Sequence, residues 1–504
     1  MSNRSQLNAN MPMIALISVL LIGILVRIRQ YMFGISLWVD EAALALNIID
    51  RSFFDLARPL EYSQGAPTGF LWLTKLAIMA GNDSEFWLRL VPLLAGLSTL
   101  VLFPLVARHY LSRNATVLAL LLLVMSERLI DYSTEVKQYS LDVLMTVCGL
   151  ALFLILKNKP LNLGRAIAVF VVGSLMLWIS HPAVFILGMV GSYALISAWR
   201  DGNRHQLILT LLIGLAWLAS IIIQLSLTLG NLSQNEYLLS FWAGGFGPSI
   251  STGTNWLSWH WRKLNNLPGF GLGLSASVLS VLAIISGVIV YYRKDKALLF
   301  SLVAPIGLVL VASWMKRYPV EDRMILFTAP ITAILVAQGV EELFRTLRSR
   351  SRILAFALPI ILLIDPALGT LNLLQHPDYK EELRPVIGKI QENWQDGDHI
   401  YVYYSSYLAF EYYRPRFGFS EADFTIGTRS REDWSVYLKE LDKLTASGQR
   451  TWLVFSHVHN ESGADEEVLF INYLKEKGFT YTDKFTAVGA STYLFDFRQS
   501  AGSD

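Results

Sequence analysis

The sequence predicts a mainly α-helical, polytopic membrane bundle of about 11 transmembrane helices followed by a small extracytoplasmic α/β domain at the C-terminal end. Three observations predict it. Hydrophobic residues make up 53% of the 504 positions and charged residues only 16%, with a mean hydropathy of +0.42. A soluble domain carries about 25% charged residues. The charge is also uneven: residues 371–504 hold 35 Asp, Glu, Lys and Arg, or 26%, while the first 370 hold the other 47, or 13%. Finally, the first 370 residues break into repeated apolar stretches close to the ~20 residues that cross a bilayer. With 42 basic against 40 acidic residues, the composition excludes a nucleic-acid binder and a disordered chain. One cysteine, Cys148, excludes an intramolecular disulfide and a thiolate metal cluster.

The expected spans are residues 11–26, 86–107, 115–130, 139–156, 166–179, 182–199, 206–229, 268–292, 297–315, 324–344 and 353–369. Arg27-Ile28-Arg29-Gln30 follows the first with no small-residue cleavage site, so it reads as a retained helix. Residues 67–80 are apolar but short and carry Lys75, and read as an interfacial helix. Residues 1–370 then form the membrane domain, with long outward loops at 30–85 and 230–267, and 371–504 form the soluble domain.

Positive charge orients the chain. One set of short alternating loops carries 14 basic residues, from Arg108 and Arg113 through Arg345, Arg348, Arg350 and Arg352; the other set is far longer and carries nine. The first set is expected in the cytoplasm. The N-terminus is then cytoplasmic, and the long loops and the C-terminal domain face outward from the cytoplasmic (inner) membrane.

Spans bury their backbone polar groups, so chemistry is expected at outward span ends. The first outward loop opens Trp38-Val39-Asp40-Glu41. One carboxylate of such a pair can take a proton from a hydroxyl while the other orients it or binds a divalent cation. Asp40 can equally be an N-cap of the helix that follows. Downstream, Tyr62-Ser63-Gln64-Gly65-Ala66-Pro67 suits either a polar substrate pocket or a simple turn. The second outward loop holds Glu135, Lys137 and Tyr139; Glu135 and Tyr139 share a face if the helix already runs there. Lys137 can also be a snorkelling interfacial cation. His181-Pro182 marks the next outward turn, where a lone histidine fits local hydrogen bonding as well as a pocket.

Lys316-Arg317-Tyr318-Pro319-Val320-Glu321-Asp322-Arg323 places three cations in a short outward loop, against the charge rule. Lys316, Arg317 and Arg323 can bind phosphate, since Arg makes fork-like charge-assisted contacts with it. The competing reading is local pairing with Glu321 and Asp322. In the soluble domain, Asp396-Gly397-Asp398 before a strand reads as a turn, and His457 with His459 does not complete a metal site; no metal ligand set is assigned.

Four stretches together carry a family resemblance: Trp38-Val39-Asp40-Glu41-Ala42; Gln64-Gly65-Ala66-Pro67 with Phe70-Leu71-Trp72 and Glu85-Phe86-Trp87-Leu88-Arg89; Ser133-Thr134-Glu135-Val136-Lys137-Gln138-Tyr139; and Arg317-Tyr318-Pro319 through Arg323 with Leu326-Phe327-Thr328-Ala329-Pro330. The chain resembles the GT-C glycosyltransferases, the polytopic class that includes the aminoarabinose and protein-mannosyl transferases and the RgtA/B/C/D-like enzymes. The resemblance covers about the first two-thirds of the chain. It implies transfer of a sugar from a polyprenyl-phosphate carrier to a hydroxyl of a glycan, lipid or protein acceptor at the outer face, among membrane lipids. It maps the acidic residue of the first outward loop, the usual catalytic candidate, onto Asp40, with Glu41 beside it. Where the aminoarabinose transferases place a lysine before the first-loop proline, this chain has Gln64-Gly65-Ala66, so that lysine's role does not carry over.

The expected mechanism has Asp40 as general base, with Arg317, Arg323 and Lys137 stabilising the leaving lipid phosphate and inversion at the anomeric carbon. Glu135 is the rival base. The alternative function is a transporter or flippase of a lipid-linked sugar; such proteins often show internal repeats, and none is visible here.

Overall fold

A computed structural model describes residues 2–229, 235–249, 253–275, 278–460 and 465–498. Parts of the expected 230–267 loop and 268–292 span (230–234, 250–252 and 276–277) lie outside the described residues. The chain divides into two compact units. One comprises Met1–Phe33 and Arg51–Pro377; the other joins Gly34–Asp50 to Asp378–Asp504.

The first unit is a helix bundle. Among the described residues, eight helices are long and apolar enough to cross a membrane: Met13–Met32, Glu85–Ala107, Tyr139–Asn158, Ala183–Arg200, Arg204–Thr228, Lys296–Trp314, Asp322–Arg348 and Arg352–Gln375. This is a multi-pass membrane protein. The segment Asp322–Arg348 is its centre, with 89% of its most apolar window buried against 11% for Arg204–Thr228. The latter turns Ile208, Leu211, Leu212, Leu215 and Leu218 outward at helical spacing, as a lipid-facing stripe requires. Around the centre, helix Val278–Lys294 packs so close to Ala329–Arg348 that a Cβ on Gly339 would lie 1.7 Å from the Ala283 carbonyl oxygen. Small residues permit such backbone approach where the hydrophobic effect cannot drive helices together.

Two expected spans are corrected. The 115–130 stretch is not one helix: Arg113–Val124 ends at Met125, and Ser126 starts the short helix Glu127–Asp131 by accepting the Leu129 amide at 3.2 Å. The Met125 carbonyl is satisfied by Thr370 Oγ1 at 2.8 Å, and Ser126 Oγ donates to the Gly271 carbonyl at 2.9 Å. A break inside a bundle is tolerated when neighbouring helices supply such partners. Likewise Pro268 does not open a span. It lies inside helix Thr254–Leu272, which closes on Gly273 with φ +68°, and a separate helix, Val278–Lys294, follows. Glycine reaches this left-handed cap without a Cβ penalty. Residues 67–80 form helix Thr68–Ala80, whose Phe70, Leu71 and Ile78 are buried and whose Trp72 stacks on Trp178 at 6.0 Å.

The second unit is α/β. Its strands are β1 His399–Val402, β2 Phe424–Ile426, β3 Arg450–Ser456, β4 Tyr481–Ala487 and β5 Ala490–Asp496, in the order β2-β1-β3-β5-β4. The pairs β2–β1 and β1–β3 are parallel, Ile400 lying opposite Phe424 and Trp452; β3–β5 and β5–β4 are antiparallel. Parallel neighbours need crossovers, supplied by Tyr407–Tyr413 and Ser435–Ser447, whereas β4 and β5 close as a hairpin at Gly489, φ +66°. Tyr401, Tyr403, Tyr437, Leu453, Phe455, Phe470 and Leu474 form its core. The helices Leu383–Glu392 and Glu466–Glu476 complete the layers. Helix Val39–Asp50 belongs to this unit too, packing its Ala- and Leu-rich surface on Tyr407–Tyr413.

Candidate functional site

Asp40 stands half-buried in the first turn of helix Val39–Asp50, and Glu41 behind it is buried. The helix opens at Val39, with the Glu41 and Ala42 amides both donating to the Trp38 carbonyl. Asp40 is therefore past the cap position expected of it.

The approach to this turn is held by residues far along the chain. Ser36 donates from its amide and its hydroxyl to Glu382, at 3.0 and 2.8 Å. The Leu37 amide donates to the Tyr413 hydroxyl at 2.7 Å, and the Val39 amide to Glu381 Oε2 at 3.0 Å. Helix N-terminal amides have no partner in their own helix, so a carboxylate there both satisfies a donor and suits the helix dipole. The other Glu381 oxygen meets His457 Nδ1 at 2.5 Å. That contact holds the His457 imidazole above its ordinary value, against the cost of burial and with the charge of Asp40 adding to the rise. His457 directly follows β3 with φ +50°, a conformation few non-glycine residues adopt. Glu381, Glu382 and His457 were not expected at any site. The only sequence signal was a pair of acids before a helix and a histidine after a strand.

Asp396-Gly397-Asp398 is the expected turn. Asp398 is buried and holds Arg450 and the Trp452 indole, while Gly397 takes φ +90°.

In the helical unit, Glu135 and Lys137 are buried in a tight turn in which the Lys137 amide donates to the Glu135 carbonyl at 2.7 Å. The helix starts only at Tyr139, so the expected shared helical face of Glu135 and Tyr139 is corrected. Serial turns at Ser133, Thr134 and Lys137 use those amides before the helix begins. Lys137 Nζ donates to Gln64 Oε1 at 2.9 Å. Gln64 follows two successive left-handed residues, Tyr62 (φ +60°) and Ser63 (φ +54°). Arg58, Ser63, Gln64, Thr228 and Asn235 line part of an adjacent small, partly open cavity.

The Arg323 guanidinium lies 5.4 Å from the Trp242 ring and 5.9 Å from the Tyr139 ring, and Tyr132 packs edge-on against Tyr139 at 4.9 Å. Arg323 and Glu135 both act on the Tyr132 hydroxyl, the carboxylate raising and the guanidinium lowering it, with burial the largest push upward. Arg323, Tyr139, Tyr132 and Glu135 thus form one neighbourhood. Lys316, φ +58°, donates to the Gly247 carbonyl at 2.9 Å, while Arg317 is exposed. Glu321 pairs with Lys263, outside this loop, at 2.7 Å. His181 sits in the turn between Leu163–Ile179 and Ala183–Arg200, where burial pushes its imidazole down to about 4 and leaves it neutral near pH 7. No hydrogen bond or ion pair among the described residues joins it to the Arg323 neighbourhood. Asp142, also unforeseen, is buried beside Ser180 on helix Tyr139–Asn158. An acid within a span was its signal.

No protein-family model matches the chain, and no curated protein does. Solved structures do. The chain is similar to ArnT from Cupriavidus metallidurans in the apo state (TM-score 0.54, 12% identity, covering 97% of this chain and 98% of that one) and bound to undecaprenyl phosphate (0.53, 12%, 96% and 98%). It is also similar to the oligosaccharyltransferase AglB from Archaeoglobus fulgidus in complex with an inhibitory peptide and a dolichol-phosphate (0.51, 12%, 95% and 74%). Its fold is the GT-C fold.

Proposed function

We propose that the chain is a glycosyltransferase that moves a sugar, hexosyl or pentosyl, from a polyprenyl-phosphate carrier to an acceptor hydroxyl at the outer face of the cytoplasmic membrane. The observation that carries this reading is the GT-C fold over nearly the whole chain, shared with a transferase solved with undecaprenyl phosphate. The half-buried Asp40, on a helix turn fixed by Glu381, agrees with it.

The chemistry assigned to these residues is inverting. Asp40 takes the proton of the acceptor hydroxyl as its oxygen bonds to the anomeric carbon. The bond from that carbon to the carrier phosphate breaks, and the electron pair leaves on the phosphate. A phosphate is already a weak base at neutral pH, so cations serve it better than a general acid does. Arg323 and Lys137 take that role, with Arg317 and Lys316 as further donors at the outer face. The Trp242 and Tyr139 rings lie 5.4 and 5.9 Å from the Arg323 guanidinium, and such aromatic contacts help hold a guanidinium for a fork-like contact to phosphate. Glu41 supports Asp40, and Tyr62, Gln64 and His181 are assigned to the substrate surroundings. Glu135 remains the alternative base.

The test is mass spectrometry of cell-envelope glycans from cells with and without the gene. Loss of one sugar substituent, restored by the wild-type gene and not by a D40N copy, supports the reading. An unchanged envelope in the deletion strain contradicts it.

A further inference from the structure

His457, Glu381 and the Val39 amide form a relay that ends one residue from Asp40. Glu381 is a buried carboxylate with both oxygens in use: Oε2 accepts from the Val39 amide at 3.0 Å, and Oε1 meets His457 Nδ1 at 2.5 Å. Its neighbour Glu382 holds Ser36 by two bonds. His457, the residue after β3, stands in the left-handed region, φ +50°, with its ring against Glu381. Such a conformation costs energy at a non-glycine residue and persists where the surroundings fix it, often at functional sites.

We infer that His457 is a positioning residue: its cation, held on Glu381, locks the first turn of the helix that carries Asp40. This rests on the reading of Asp40 as the base. The charged and titratable groups facing His457 are Glu381 from the segment before helix Leu383–Glu392, Asp40 from the first turn of Val39–Asp50, Arg431 from the loop before Ser435–Ser447, and His459 on its own segment, whose ring lies 5.1 Å away. Lys380 lies 4.8 Å over the Trp38 ring on the same approach. Glu381 and Asp40 favour the imidazolium and Arg431 opposes it.

The sign follows from the direction of the shift. A histidine raised above its ordinary 6.5 in the folded chain is still charged near neutral pH, so the lock is complete below that value and weakens as pH rises through the raised one. A charge-assisted hydrogen bond is roughly twice as strong as a neutral one, so losing the charge loosens the turn without abolishing it.

The experiment is hydrogen exchange of the full chain in nanodiscs, read on peptides spanning 36–50 and corrected for intrinsic exchange. Wild-type protection there should fall roughly fivefold between about pH 6 and about pH 9. H457Q should show the low protection at both ends. H457K, which keeps a cation at high pH, should retain protection throughout. A pH-independent wild type, or an H457Q chain with the wild-type step, overturns the relay. Sugar transfer is measured on the same preparations: kcat should follow the step while donor KM does not. A step in exchange without any transfer keeps the relay and removes the glycosyltransferase reading. Transfer without the step does the reverse.

Discussion

Lys137 donates from Nζ to Gln64 Oε1 at 2.9 Å, joining two turns 73 positions apart in the helical unit. Both turns are locally constrained, one by the left-handed pair Tyr62 and Ser63, the other by the Lys137 amide bound to the Glu135 carbonyl. Gln64 meets the ammonium without adding a charge, in keeping with the phosphate-binding role proposed for Lys137.

Gln64→Glu is therefore expected to weaken donor use. The new carboxylate competes with the phosphate for Lys137, and losing a hydrogen bond between charged groups costs about 1.5–3 kcal/mol, roughly ten- to a hundredfold in donor KM. Gln64→Ala, which adds no charge, should cost less. The check is donor saturation kinetics in proteoliposomes; equal effects of the two variants would remove the electrostatic role of Lys137.

Arg323→Ala and Arg317→Ala separate two kinds of cation. Arg323 lies near the rings of Trp242 and Tyr139, whereas Arg317 is exposed. Arg323→Ala should raise donor KM by roughly ten- to a hundredfold, and Arg317→Ala by less, because an exposed cation is screened by water. Size-exclusion elution and thermal stability of both variants in detergent should match wild type.

The apolar stretches were legible because a bilayer fixes their length and leaves no choice about polarity. Their interruptions were not. Ser126 and Gly273 break apolar runs, and the partners that permit the breaks, Thr370 for the Met125 carbonyl and Ser126 for that of Gly271, lie on distant helices. Asp40 is proposed as a site residue from sequence because two acids after an apolar helix are conspicuous. The contacts that hold its helix turn were not legible: Glu381 and His457 reach Val39 across 342 and 76 positions in two successive contacts, and no local pattern encodes a tertiary pairing. For the same reason the short apolar helix Val39–Asp50 gave no sign that it packs with residues beyond Asp378.

Gly339→Val should destabilise the bundle by about 3 kcal/mol or more, since its Cβ would overlap the Ala283 carbonyl and backbone has nowhere to yield. A thermal melt in detergent reads this. Gly307→Val is the control, because a Cβ there meets nothing within 4 Å.

Reporter fusions address orientation. A fusion after Gly369 should read extracytoplasmic and one after Arg113 cytoplasmic, as the bias of 14 basic residues in the short loops requires. The same readout from both positions would refute the proposed topology.

The most direct measurement of the central claim is transfer from a polyprenyl-phosphate-linked sugar by Asp40→Asn, compared with Glu135→Gln. Asparagine keeps the shape and hydrogen-bonding capacity of that first-turn residue but cannot take the acceptor proton. General-base catalysis contributes ~10²–10⁴-fold, so Asp40→Asn should lose at least that much in kcat while donor binding is kept. Near-normal transfer by Asp40→Asn, with transfer abolished in Glu135→Gln, would contradict the account and move the base to the turn that carries Lys137.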